Sequence, residues 1–189
     1  MTGQGDNPSR LAKLIESGGA LEGFKWPEQA REFDIRIGRD GTWYYQDSPI
    51  QRLWLCQLFS TVLHRDEDGV YWLVTPGERG RITVDDAPFL AVELKVEQEG
   101  GKRLLKFRTS LDHWVTADSD HPIRVVEDPD TGEPSPYILF RGRLEALISR
   151  PVFYELVELA DEVSNSGRTD LVVESCGQRF TLGSVPQIA

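Results

Sequence analysis

The chain has 189 residues, of which 39% are hydrophobic and 28% charged, so it can bury a core, which excludes wholesale disorder. Its 31 acidic and 21 basic residues give a net charge of −10, which disfavours binding to a nucleic-acid duplex because the phosphate backbone is also negative. We predict a cytoplasmic protein, because no apolar run reaches the roughly 20 residues of a membrane helix and residues 1–19 lack the apolar core of a signal peptide.

An N-terminal arm with a short helix, residues 1–30, is predicted to precede the first strands. Ser9 is expected to cap that helix, and Gly18 and Gly19 to end it. Beyond the arm, alternating apolar residues predict strands, and an apolar stripe at helical spacing predicts one helix. The predicted strands of this half are residues 33–37, 42–45, 70–74 and 79–84, and the predicted helix is residues 50–64.

The second half is predicted to contain six more strands and a kinked helix. Over residues 142–162 the apolar residues fall at helical spacing, and their phase slips at Pro151. Because proline lacks the N–H that a helix interior needs, we expect a kink or two abutting helices at this position. The predicted strands are residues 89–97, 103–109, 115–116, 123–126, 170–174 and 179–182.

Both halves are predicted to follow one order of elements: strand, turn, strand, helix, strand, turn, strand. In this alignment Ile35 of the first half corresponds to Ile123 of the second. The predicted fold class is therefore α+β, with two related α+β halves built from antiparallel sheets, each with a packed helix. The predicted domains are residues 31–85 and 86–189; since the identity between the halves is low, chance similarity is the alternative.

Two arginines are predicted to lie at the start of a helix, one in each half. Arg52 and Arg141 both fall near the first turn of a predicted helix, where the helix dipole disfavours a cation. A helix N-terminus together with a guanidinium forms an anion site, because free backbone N–H groups and a bidentate donor converge there. The alternative is that both side chains point outward and pair with surface acids.

Acidic and histidine-containing segments suggest a second kind of chemistry. Carboxylate and imidazole groups that lie close together can bind a divalent metal, but the spacing matches no known metal signature, and acids in loops mostly cap turns. The sequence contains no nucleophile elbow, phosphate-binding loop or dinucleotide fingerprint, so an enzyme is the weaker hypothesis. The residues concerned are Asp85, Asp86, Asp112, His113, Asp118, Asp120 and His121.

Several sequence blocks resemble an uncharacterised bacterial family over nearly the whole chain. The blocks are Asp40-Gly41-Thr42-Trp43-Tyr44-Tyr45, Thr75-Pro76-Gly77-Glu78, Asp85-Asp86-Ala87-Pro88-Phe89, Asp120-His121-Pro122, Pro136-Tyr137 and Leu144-Glu145-Ala146. Together they resemble the domain-of-unknown-function family 1285. The resemblance implies a duplicated α+β core whose C-terminal half is loosely similar to pleckstrin-homology folds.

The same resemblance implies a ligand site between the halves, a nucleotide-like ligand and a signalling role. It brings no established catalytic residue, and neither a metal nor a cofactor is predicted. The positions that match the family and are candidates for binding a ligand in that cleft are Arg52, Thr75, Glu78, Asp86, His121, Arg141 and Glu145.

The sequence therefore favours a non-enzymatic ligand-binding or signalling protein that holds a small anionic ligand between its halves. One alternative is a metal-dependent hydrolase or phosphotransfer enzyme that uses Asp85, Asp86, His113 or His121. Another is a protein-interaction module, in which exposed Trp and Tyr side chains bind a protein partner or form a homodimer.

Overall fold

The structure, a computed structural model, describes residues 27–165 and 168–186 and is mostly β-sheet. The short helix predicted for the N-terminal arm lies outside these residues. The two helices that the described residues form have nine residues each. Neither of them is long and apolar enough to cross a membrane.

The first half consists of one six-stranded sheet and one helix. Its elements are β1 (Ala30–Ile37), β2 (Trp43–Tyr45), β3 (Ser48–Pro49), α1 (Leu53–Thr61), β4 (Leu63–Arg65), β5 (Tyr71–Val74) and β6 (Arg79–Val84). The strand order is β3-β2-β1-β6-β5-β4, and the central pair of β1 and β6 is parallel. Side chains alternate along β1, so Ile35 and Ile37 are buried while Arg36 between them is partly exposed.

The second half contains a six-stranded sheet, a three-stranded sheet and one helix. Its elements are β7 (Phe89–Glu99), β8 (Lys102–Thr109), β9 (Trp114–Thr116), β10 (Ile123–Glu127), β11 (Pro134–Arg141), β12 (Leu144–Ile148), α2 (Arg150–Glu158), β13 (Asp161–Asn165), β14 (Arg168–Ser175) and β15 (Gln178–Pro186). The larger sheet has the order β10-β11-β12-β7-β8-β9, and its central pair of β12 and β7 is parallel. The smaller sheet, β13-β14-β15, is antiparallel.

The two six-stranded sheets share one topology. In each, the first and last strands of the repeat form the central parallel pair, and antiparallel neighbours extend outward on both sides. The residue after each last strand donates to the first strand: Asp85 N–H to the carbonyl of Ile37, and Ser149 N–H to the carbonyl of Ala91, both at 2.9 Å. The halves are thus two similar domains, consistent with a duplication, but their sheets are mixed rather than purely antiparallel.

The repeat in the structure is β1–β6 against β7–β12, which corrects the alignment of Ile35 with Ile123. Ile35 lies on β1, whose counterpart is β7, whereas Ile123 begins β10 at the edge of the second sheet. In the first half α1 lies between β3 and β4, whereas α2 follows the whole second repeat. The two helices are thus not counterparts, and aligning them with each other shifts the register of the duplication.

The prediction of a helix over residues 142–162 is wrong for its first part, because Leu144–Ile148 forms strand β12. Leu144, Leu147 and Ile148 fit a helical stripe, but a strand that is buried on both faces also carries a continuous apolar run. Pairing with β7 on one side and β11 on the other decides the outcome.

Pro151 marks the start of a helix and not a kink. α2 has Ser149 as its N-cap, so Pro151 lies in the first turn, where its missing N–H has no helical acceptor to lose. Arg141 lies well before this helix, at the end of strand β11. The prediction that it lies near the first turn of a helix is wrong.

The first helix is shorter than the predicted range of residues 50–64. Arg52 is its N-cap residue, and the Arg52 carbonyl accepts hydrogen bonds from Leu55 and Cys56. At the other end, Leu63–Arg65 leaves the helix and forms β4, which pairs with β5. The placement of Arg52 at a helix start is as predicted, whereas its supposed counterpart in the second half is not.

One hydrophobic core runs through both halves. Buried side chains of the first sheet and of the second sheet belong to a single cluster, and α2 packs into it through Val152, Phe153 and Leu156. Because burial of apolar surface is the main favourable contribution to folding, this shared core fixes the halves against each other. The region where the two halves meet is therefore supported by packed side chains.

Candidate functional site

A cleft of about 910 Å³ lies where the end of α1 meets the second half. Thr61 of α1 contributes from the first half, and the turn before β9, the loop after it and the end of β11 contribute from the second. Its charged and histidine residues are Asp112, His113, Asp118, Asp120, His121 and Arg141. The structure thus brings together two of the predicted ligand-binding residues, Arg141 and His121.

Arg141 is the cation of this cleft. One Nη of its guanidinium donates to the main-chain carbonyl of Ser60, a residue that is fully buried. No carboxylate among the residues that the structure describes pairs with Arg141, and burial alone lowers its pKa from the ordinary value. A guanidinium has five N–H donors, so most of its hydrogen-bonding capacity is open toward the cleft.

The position of Arg141 relative to the helix dipole is the reverse of the predicted one. Ser60 lies in the last turn of α1, where unpaired carbonyl groups carry partial negative charge and a cation is favoured. Arg141 therefore approaches the C-terminal end of a helix in the other half of the chain, and it joins the two halves by this contact.

The charge of Arg141 acts on two histidines, His64 and His113, whose neutral forms are favoured. Burial lowers the pKa of His64 and of His113, and the positive charge of Arg141 lowers each of them further. The His113 ring stacks on Phe140, with a centroid distance of 5.8 Å. Arg141 is thus the permanent positive charge at this point of the cleft.

His121 is held by a carboxylate of its own loop. Its Nδ1 lies 3.0 Å from Oδ1 of Asp118, and the same oxygen accepts the main-chain N–H groups of Asp120 and His121. Burial by itself would raise the pKa of Asp118, but these hydrogen bonds lower it overall. Asp118 is therefore a charged acceptor that shapes the loop, and His121 is oriented by it.

The metal-binding hypothesis finds no suitable cluster in the described residues. Across residues 27–165 and 168–186, no three His, Cys, Asp or Glu side chains are placed together to hold a metal ion. Asp85 pairs with Arg36 at 2.7 Å, away from His113 and His121. The residues of that hypothesis thus belong to different parts of the structure.

Two more of the predicted binding residues, Asp86 and Glu145, belong to a separate polar cluster between the halves. Glu145 on β12 accepts two hydrogen bonds from Arg124, at 2.5 and 2.7 Å. Asp86 accepts the hydroxyl of Tyr137 at 2.8 Å. The guanidinium of Arg124 lies over the ring of Tyr137 at 4.4 Å, which joins the two carboxylates into one cluster. We call this group the Glu145 cluster.

The first half completes the Glu145 cluster. Arg65 on β4 lies 3.9 Å from Glu145, and Arg39 lies 3.1 Å from Asp86. Burial raises the pKa of Tyr71; the positive charge of Arg65 opposes this shift, and the negative charges of Glu145 and Asp86 add to it. Because both carboxylates are already paired with arginines, we interpret the cluster as a contact that holds the halves together.

Glu145→Gln is expected to lower the free energy of unfolding by about 1–2 kcal/mol, because the bidentate ion pair with Arg124 is lost at a site where Glu145 is only 17% exposed. Glu67→Gln is the matched control, since Glu67 is 87% exposed and pairs with Arg143 at the surface. Urea denaturation of the two variants measures the difference. Equal stability of both variants would contradict a structural role of the cluster.

The remaining predicted binding residues lie elsewhere. Thr75 and Glu78 close the turn between β5 and β6, where the Thr75 hydroxyl donates to the carbonyl of Glu78 at 3.1 Å. Glu78 also pairs with Arg31 at the surface. Arg52 is exposed at the start of α1 and is not among the residues that line the cleft.

A second hollow, of about 730 Å³, lies at the start of α2. Both of its arginines have carboxylate partners: Arg39 pairs with Asp86, and Arg150 pairs with Glu133. Since these charges are already compensated, the hollow offers less to an anion than the cleft around Arg141.

Sequence reasoning missed residues that both halves contribute at the cleft. Ser60 and Thr61 end α1, and Phe140 supplies the ring on which His113 stacks. Nothing in the local sequence signals that Ser60 would meet a residue 81 positions away. Such contacts depend on the packing of the two halves.

Comparison with known proteins identifies similar chains. A family model described as "Domain of unknown function (DUF1285), N-terminal domain" matches residues 24–87, and one described as "Protein of unknown function (DUF1285), C-terminal domain" matches residues 88–182. No curated protein matches the chain.

Two solved structures are similar to this one. A DUF1285 family protein from Silicibacter pomeroyi DSS-3 is 39% identical, with a TM-score of 0.76 and 97% of each chain covered. A DUF1285 family protein from Shewanella baltica OS155 is 27% identical, with a TM-score of 0.54, over 67% of this chain and 91% of the other.

Proposed function

Because the chain belongs to the DUF1285 family, whose function is unknown, we propose from its own geometry that it binds a small anionic ligand in the cleft between its halves. The observation that carries the proposal is the guanidinium of Arg141, which is partly buried without a carboxylate partner among the described residues. A buried charge without a counter-ion is costly. A bound anion would remove that cost.

The chemistry of the cleft supports a ligand of nucleotide-like character. Arg141 offers a planar set of donors to a phosphate or carboxylate group. Trp114, which is 46% exposed, offers an aromatic face on which a base can stack. Asp120 has an exposed carboxylate that can accept hydrogen bonds from hydroxyl groups.

A binding and signalling role is proposed rather than catalysis. The imidazole ring of neither His113 nor His121 hydrogen-bonds to a serine, threonine or cysteine side chain among the described residues, so neither ring supplies a base to a nucleophile. Arg141 also joins β11 to the end of α1. Occupancy of the cleft would therefore act on the contact between the halves, as a signalling protein requires.

The interaction hypothesis stays a prediction. The side chains of α1 that a protein partner or a second copy would contact are Leu53, Trp54 and Leu58, which are exposed. Exposed apolar groups of this kind mark interaction sites when they are contiguous.

Arg141→Met is expected to abolish the thermal stabilisation that an anionic ligand produces. ATP, GMP and a cyclic dinucleotide serve as probes, and the melting temperature of the full chain is measured with and without each. A probe at about 100 times its Kd adds roughly 2.7 kcal/mol to the free energy of unfolding, which is about 5–10 °C for a chain of this size.

Arg143→Ala is the matched control, because Arg143 is two residues away, 52% exposed and paired with Glu67 outside the cleft. Each variant is compared with itself without probe, so a change in intrinsic stability does not enter the result. A shift of equal size in Arg141→Met and the wild type, or the absence of any shift with millimolar probe, would overturn the proposal.

A further inference from the structure

His113 is fixed in the cleft by its backbone and by its ring. Its carbonyl accepts the N–H of Thr109 at 2.8 Å, and its own N–H donates to the Thr109 hydroxyl at 3.2 Å. The ring stacks on Phe140 and meets the edge of Phe89 at a centroid distance of 6.4 Å. A side chain held from both sides presents the same atoms to any bound molecule.

The two ring nitrogens of His113 have different surroundings. Nδ1 is buried and has no hydrogen-bond partner among the described residues. A buried N–H without an acceptor is rarer in proteins than a buried acceptor without a donor. The neutral ring therefore carries its proton on Nε2, which leaves Nε2–H as the donor that can reach a ligand.

Burial and the charge of Arg141 favour the neutral form of the ring. Burial lowers the pKa of His113, Arg141 on β11 lowers it further, and only Asp112 on its own turn raises it. Asp112 is itself paired with Arg108 of β8 at 2.7 Å. The other charged groups that line the cleft are the paired Asp118 and His121, and Asp120.

Resting on the proposed function, we propose that His113 is the second ligand-binding residue of the cleft and donates, as a neutral imidazole, from Nε2–H to the anionic group that Arg141 binds. The site then offers one permanent positive charge and one neutral donor, while Asp112, Asp118 and Asp120 oppose further negative charge. It suits a group with a single negative charge, a carboxylate or a phosphate diester, better than a doubly charged phosphate monoester.

The test is an NMR titration of the full chain labelled with ¹⁵N at histidine, with dimethyl phosphate as the singly charged probe and methyl phosphate as the doubly charged one. We expect the His113 ring to show Nε2–H at pH 8 and the affinity for dimethyl phosphate to be unchanged down to pH 6.5. His113→Phe keeps the stack on Phe140 and is expected to weaken binding about ten- to a hundredfold, the loss of a hydrogen bond to a charged group.

Two kinds of failure are distinguishable. If dimethyl phosphate and methyl phosphate shift no signal of the wild type, or shift Arg141→Met equally, the proposed function itself fails. If binding needs Arg141 but is equally tight in His113→Phe, or if the proton is found on Nδ1, only the role of His113 fails. A His113 ring that carries protons on both nitrogens when dimethyl phosphate is bound at pH 6.5 or above would show a cationic histidine and would also overturn the proposal.

Discussion

Ser175→Ala is expected to lower the free energy of unfolding by about 3 kcal/mol, because it leaves two buried backbone groups without their partner. The Ser175 hydroxyl accepts the N–H of Leu105 at 2.9 Å and donates to the carbonyl of Ala117 at 2.6 Å. All three residues are fully buried, so water cannot replace the lost hydrogen bonds. Ala117 precedes the loop that carries Asp118 and His121, so this serine also anchors one wall of the cleft.

Urea denaturation followed by tryptophan fluorescence measures this loss. Ser184→Ala is the control in the same three-stranded sheet, since Ser184 is exposed and its hydroxyl donates to Asp170. Its effect is expected to stay within about 0.5 kcal/mol. Equal midpoints and slopes for the two variants would show that the buried bridge contributes nothing.

Gly80→Ala is expected to cost about 3 kcal/mol through overpacking at the central parallel pair of the first sheet. A Cβ atom at Gly80 would lie 2.0 Å from the ring of Phe33, closer than any non-bonded contact allows. Phe33 lies in β1 where the register with β6 shifts, and it packs against the core, so the ring has little room to move.

Two further variants test this explanation of Gly80. Gly77→Ala is expected to be nearly neutral, because no atom lies within 4 Å of the Cβ that it would add. The double variant Phe33→Ala with Gly80→Ala removes the steric conflict. Its loss of unfolding free energy should therefore be clearly smaller than the sum of the losses of the two single variants. Additive losses would place the cost somewhere other than the contact between these two residues.

Strands that begin or end at a recognisable turn could be predicted from the sequence. Gly41 and Gly69 follow aspartates between alternating segments, and both adopt positive φ, +79° and +83°, as tight turns require. Gly100 and Gly101 join β7 to β8 in the same way, with φ of +57° and +76°. The family was also predicted correctly, because its sequence blocks are local.

The parts that depend on long-range packing could not be predicted. Leu144–Ile148 is apolar enough for a buried helix or a buried strand, and only its neighbours β7 and β11 decide between them. Arg141 was singled out on the expectation of a helix start, whereas the helix that it meets is the end of α1 in the other half. His113 was considered only as a metal ligand, because its unpaired Nδ1 and its stack on Phe140 arise in the folded chain.

The edges of the two six-stranded sheets bear on aggregation. Open edges invite pairing between molecules, and proteins discourage it with short edge strands and proline. Three of the four edges here are strands of two or three residues, β3, β4 and β9, and β3 includes Pro49, which has no N–H to donate. The fourth edge, β10, packs beside β15. Both six-stranded sheets therefore offer little template for cross-strand aggregation, even though a central strand such as β12 is mostly apolar.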